Sequence, residues 1–139
     1  MTPGAAGDLI FVYGTLRSDM PARGRLVAVR SASGLLADNG ERLGRATMGG
    51  RLYDVGAYPA FVSSTDGPRV QGELWRIFDL AAVFPYLNAY EGSAYRLIDA
   101  RAALETGEEH VARVYEWSLD VGALQPIPSG DYLQWLAAD

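Results

Sequence analysis

Cysteine is absent from the 139 residues, which removes disulfides, thiolate metal ligands and a cysteine nucleophile together. Lysine is absent as well. All 12 basic residues are arginine, so neither a Schiff base nor a phosphate loop that depends on a P-loop lysine is available. His110 is the single histidine; a Ser-His-Asp triad would have to use it, and a multi-histidine metal site cannot be built. No apolar run approaches the roughly 20 residues of a membrane-spanning helix. The net charge of -5 gives no general attraction to phosphate backbones. Neither a bilayer nor nucleic acid is therefore an expected partner. The opening MTPGAAGDL has neither the basic stretch nor the long apolar stretch of a secretory signal, so a cytoplasmic location is expected.

What is present is ordinary globular material: 49% hydrophobic and 21% charged residues, in a length suited to one domain spanning 1–139. Asp8 to Tyr13 (DLIFVY) is a short apolar run rich in β-branched and aromatic residues, and it reads as a buried strand running into a turn at Gly14-Thr15. Gly44 to Tyr53, Ala60 to Ser63 and Val70 to Phe78 also read as strands, the first two separated by a turn at Gly56 and Pro59. Between Met20 and Asn39, Arg23, Arg25 and Arg30 interleave with Leu26, Val27 and Val29, which suits neither period, so helix and loop both stay open. Asp79 is placed to cap a helix carrying Leu80, Val83 and Phe84, and Pro85 is expected to split that helix into two short pieces, the second ending at Gly92. Tyr95 to Leu104 and His110 to Ser118 form a hairpin pattern around Glu105, Thr106 and Gly107, and Asp131 to Leu136 is a short amphipathic tail. Several strands and few helices in one small domain point to an α+β fold whose sheet curls or closes.

Three separated segments carry the chemistry: FVYGTL at 11–16, LYDVGAYPAFV at 52–62, and LNAYEG with the following Tyr95 at 87–95. With VQGELW at 70–75 and SGDY at 129–132, their order and spacing resemble the γ-glutamylcyclotransferase-like (AIG2-like) family across nearly the whole chain apart from residues 20–39. The resemblance implies a small mixed β-barrel, closed or strongly curled, flanked by short helices. It implies a cofactor-independent reaction without a metal, in which a small-molecule γ-glutamyl amine or peptide is cleaved and 5-oxoproline released. It maps the catalytic acid/base onto Glu91. The substrate contacts fall on Tyr13, Gly14, Thr15 and Leu16, whose backbone amides hold a carboxylate in relatives, and on Tyr95. Two positions depart from the family pattern: Asn88 stands where relatives commonly have aspartate, and Leu97 where a second basic residue is often seen. These touch substrate identity more than reaction type.

The residues carry part of this reading by themselves. Leu87 and Glu91 are four apart and share a helix face, which sets a carboxylate beside apolar residues. At a helix C-terminus, burial and the partial negative charge of free carbonyls both push such a carboxyl upward in pKa, toward a proton-transfer role. Glycine at position 14 allows the backbone to approach a ligand closely. The blander readings are an exposed, solvated glutamate at a helix end and an ordinary strand-to-turn glycine. Tyr53, Tyr58 and Pro59 read as core and turn residues without a catalytic role, and Tyr95 and Tyr115, taken as residue types, read first as structural. Glu73 reads as exposed or partnered across strands and is a weak second candidate base. His110, beside Glu108 and Glu109, reads as a solvated imidazole. A rival from another class is a non-catalytic domain that keeps the pocket and binds a small molecule or a protein. Hydrolysis by water, yielding free glutamate, is a third.

Overall fold

The computed structural model describes residues 8–14, 16–17, 27–56 and 58–137. The strands are β1 (Leu9–Val12), β2 (Gly40–Asp54), β3 (Pro59–Ser63), β4 (Arg69–Ile77), β5 (Tyr95–Leu104), β6 (Glu109–Trp117) and β7 (Gln125–Ile127). The helices are α1 (Val27–Asp38), α2 (Leu80–Glu91) and α3 (Tyr132–Ala137). Five strands close on themselves in the order β2-β4-β1-β6-β5, with β5 returning to β2 through Ala102 to Leu104. All these pairings are antiparallel except β1 with β6, so the barrel is mixed. The far half of β2 runs beyond the barrel and pairs with β3 on one side and β7 on the other. No helix among the described residues is long and apolar enough to cross a membrane.

The all-apolar β1 follows from its position. Leu9 and Phe11 point into the barrel with Met48, Val70, Leu74 and Val114, whereas Ile10 and Val12 point outward into a second cluster with Leu36, Val83, Phe84 and Leu87. A strand with a core on both faces cannot alternate, and an uninterrupted apolar run results. The helices α1 and α2 thus cover one outer side of the barrel.

Two expectations need correction and one ambiguity is resolved. α2 is a single helix that runs through Pro85. The missing proline N–H deprives the carbonyl one turn earlier, at Ala81, of its partner, but both positions are exposed, where solvation offsets the lost bond. Val83, Phe84 and Leu87 bury both halves of the helix against the barrel and hold it together. The strand expected at Gly44 begins four residues earlier, at Gly40, because Glu41 and Arg42 pair with Arg76 and Trp75 despite their polarity. Of the ambiguous 20–39 segment, Val27–Asp38 is helix, closed by Asn39, whose backbone and side-chain N–H groups both donate to the Leu35 carbonyl. Residues 20–26 lie outside the described residues.

Candidate active site

α2 is started by Asp79, whose carboxylate accepts from the Ala82 N–H at 3.1 Å, and stopped by Gly92. Gly92 has φ 84°, a conformation that glycine adopts without steric cost, and its N–H returns to the Asn88 carbonyl. That stop leaves Glu91 as the last helical residue, beside the end of β1. Where β1 ends, the chain turns at Gly14, and the turn is closed by the Arg17 N–H donating to the Gly14 carbonyl at 3.1 Å. Arg17 is itself buried and ion-paired at 3.0 Å to Asp131, which also caps α3 through the Leu133 and Gln134 N–H groups.

Glu91 and this turn face one narrow pocket. Its lining comprises Tyr13, Gly14 and Leu16 from the turn, Glu91 from α2, Tyr58 and Pro59 from the start of β3, Tyr95 from β5, Tyr115 from β6, and the end of β1. The structure therefore brings together Tyr13, Gly14, Leu16, Glu91 and Tyr95 of the residues singled out in the sequence. Thr15 lies outside the described residues. Tyr58, Pro59 and Tyr115, read from the sequence as structural, line the same pocket. The signal that could have found Tyr58 and Pro59 is the YP pair in the second motif, since a proline opening an edge strand marks where the sheet ends; Tyr115 carried no such signal.

Gly14 has a steric reason that its sequence context did not disclose. A Cβ there would meet the Pro59 ring at 2.8 Å, so glycine is what lets Pro59 close over the turn. The Pro59 carbonyl in turn accepts the Tyr95 hydroxyl proton at 2.7 Å. Tyr13, buried against Phe61, donates to the Tyr115 carbonyl at 2.6 Å, and Tyr115 donates to Asn88 Oδ1 at 2.6 Å. The three phenols are thus fixed, with their protons committed to acceptors other than Glu91.

Glu91 has no hydrogen bond or ion pair among the described residues, and it is the one acid lining the pocket there. Burial among apolar and aromatic walls raises its pKa from the usual carboxylate range to about 7. The same burial, reinforced by the Glu91 charge, pushes the Tyr13, Tyr95 and Tyr115 hydroxyls upward. These tyrosines stay neutral at physiological pH.

Two other carboxylates are withdrawn from water for structural purposes. Glu73 is 1% exposed and meets the second of its two expectations, a partner across strands, in Arg42 of β2. It faces outward from the barrel beneath the helices because its neighbours Gly72 and Leu74 face inward, and it accepts from Arg42 Nε at 3.0 Å and Trp75 Nε1 at 3.2 Å. It lines no part of the pocket. Glu116 accepts from the Ser63 N–H and hydroxyl and from Arg96, which together hold its carboxyl low despite burial. His110 sits 2.5 Å from Glu108 Oε1 on the hairpin, away from the pocket. Among the described residues no group of three or more His, Asp or Glu side chains is placed to hold a metal ion.

The site's sequence and fold match one family. A family profile described as gamma-glutamyl cyclotransferase, AIG2-like, matches residues 10–134. No curated protein matches the chain in sequence. Among solved structures, YkqA from Bacillus subtilis superposes with a TM-score of 0.68 at 21% identity over 94% of this chain; the chain spans 41% of that protein. An AIG2-like protein from Mus musculus gives 0.67 at 20% identity, covering 90% of this chain and 87% of the mouse chain. An uncharacterized protein from Pyrococcus horikoshii gives 0.64 at 23% identity, covering 94% of each chain. At these identities the neighbours establish the barrel fold, and the profile match extends through the motifs that build the pocket. The chain belongs to the gamma-glutamyl cyclotransferase, AIG2-like family.

Proposed function

We propose that the protein is a γ-glutamyl cyclotransferase that releases 5-oxoproline from a γ-glutamyl amine or peptide, with Glu91 as general acid/base. The observation that carries this reading is an unpaired, largely dry carboxylate in the same pocket as the Gly14 turn. A binding module gains nothing from a carboxylate held without partners, whereas a base of pKa about 7 is suited to proton transfer near neutrality.

The reaction asks little more of the protein. The substrate's α-amine attacks the γ-carbonyl of its own glutamyl unit, so the nucleophile is tethered to its target. Glu91 accepts the proton released as the new C–N bond forms and returns it to the nitrogen that departs as the old C–N bond breaks. No water is consumed. The backbone of the Tyr13 to Leu16 turn receives the substrate's α-carboxylate, and the Tyr95 ring walls the pocket. Its hydroxyl proton already belongs to Pro59, so Tyr95 contributes shape and an acceptor oxygen but no proton.

The test is incubation with γ-glutamyl amines, γ-glutamyl dipeptides and glutathione, read by mass spectrometry, with E91Q as control. The expected result is 5-oxoproline from at least one substrate and its loss in E91Q. Free glutamate would indicate hydrolysis instead. Binding without turnover would favour the non-catalytic reading.

A further inference from the structure

The SGDY segment at 129–132, singled out in the sequence, lines no part of the Glu91 pocket. Three of its residues fix it to the barrel. The Ser129 hydroxyl accepts the Asp131 N–H at 3.2 Å, the Gly130 carbonyl accepts the Gln71 N–H of β4 at 2.8 Å, and Tyr132 is buried in the barrel core with Phe11 and Tyr13. The side chain of the fourth, Asp131, reaches out of the segment, and its Oδ1 lies 3.0 Å from Nη1 of Arg17, at the other end of the chain. We propose that Arg17 and Asp131 are positioning residues of the Glu91 site: their ion pair anchors the Gly14 to Arg17 turn, and with it the main-chain groups that meet the substrate's α-carboxylate. What the turn binds rests on the cyclotransferase reading; how it is held does not.

Arg17 holds the turn in two ways. Its N–H closes the turn on the Gly14 carbonyl, and its guanidinium ties the same residue to Asp131. At the other end of the turn Pro59 packs so closely on Gly14 that a Cβ there would touch its ring. Both ends are thereby fixed, while Tyr13, Gly14 and Leu16 face the pocket. Arg17 is buried but lines no part of that pocket, so it acts through the turn and not on a ligand. Asp131 suits the task because its own place is set: the oxygen that meets Arg17 also accepts the Leu133 and Gln134 N–H groups at 3.1 and 3.3 Å. The desolvation of a buried ion pair offsets much of its attraction, so its value lies more in the geometry it specifies than in net stability. Geometry is what a carboxylate cradle needs, since misplacing a bound group by about 1 Å can cost roughly 100-fold in rate.

The experiment compares wild type, R17M and D131S by 15N relaxation of the Gly14, Leu16 and Arg17 amides and by the kinetics of 5-oxoproline release. Methionine keeps bulk in the buried site and removes the charge, while Asp131, part-exposed, keeps its two helix donors and meets water. Serine at 131 still caps α3, but its hydroxyl is one bond shorter and falls short of Arg17. The turn amides are expected to drop from an order parameter of about 0.85 in wild type to below about 0.6 in both variants, with α2 and β4 unchanged. KM should rise about 10-fold, with kcat lowered less. Turn order equal to wild type in the variants overturns the proposal. So does a lower melting temperature with turn order and KM unchanged, because the pair would then serve stability alone. If R17M does not fold, D131S decides by the same readings. If wild type releases no 5-oxoproline, the cyclotransferase reading fails, and the amide order still decides whether the pair anchors the turn.

Discussion

Glu116 and Glu91 lie in neighbouring parts of one end of the barrel and have opposite fates. Glu116 receives two bonds from Ser63 and two from Arg96, tying β3, β5 and β6 together, and these bonds hold its carboxyl below the usual carboxylate range. Glu91 receives none, and burial alone lifts it to about 7. Burial of a carboxylate is therefore uninformative until its donors are counted. A fully satisfied acid holds strands in register, whereas an unsatisfied one is kept at a cost in stability. Glu73, enclosed with Arg42 and Trp75, falls on the structural side of that division.

The comparison can be broken most visibly at Glu91. E91Q is isosteric and uncharged, and it should lower 5-oxoproline release at least about 100-fold, the lower range for losing a general acid/base. Its circular dichroism and melting temperature at pH 8 should be unchanged or improved. E116A should do the reverse, costing about 1–2 kcal/mol in urea denaturation, because the Ser63 N–H and hydroxyl lose their acceptor, whereas Arg96 is largely exposed and is taken up by water.

A pH series sharpens the contrast. The Glu91 carboxyl rises from 4.5 to about 7 on folding, so the folded state binds its proton more tightly than the unfolded state. The stability this confers is full below pH 4.5 and is lost as pH rises through 7. Wild type should therefore lose up to about 3 kcal/mol relative to E91Q across that window. Glu116, held low, contributes with the opposite sign: its stability is present above the ordinary carboxylate range and is lost in acid. Equal pH dependence in wild type and E91Q would refute the assignment of Glu91 as dry.

The smallest effect is steric. G14A drives a methyl group into the Pro59 ring, and because Pro59 holds the Tyr95 hydroxyl, the shift should reach the pocket wall. A loss of about 1–2 kcal/mol is expected, with KM raised more than kcat is lowered.

The barrel was legible in the sequence where strands carried local patterns, as in the all-apolar β1 and the β5-β6 hairpin. It was not legible where tertiary pairing overrode composition. Polar Glu41 and Arg42 are strand because Arg76 and Trp75 await them, and Pro85 is tolerated because buried residues on both sides of it anchor α2. The three-residue β7 carries no periodicity to read and exists only because the far half of β2 offers it an edge. At the site, Glu91 and the Gly14 turn were identifiable from motif and helix-end position. The function of Pro59 as the lid on Gly14 depended on a contact between residues 45 apart in sequence, and the tyrosine protons on three separate acceptors. No local pattern encodes either.

The most direct test of the central claim is the pH dependence of 5-oxoproline release in wild type and E91Q. A dry, unpaired Glu91 acting as base predicts a rate that rises with pH to a plateau through a midpoint near 7 in wild type, and an E91Q rate that is low and lacks that limb. Equal release by the two proteins at every pH would contradict it.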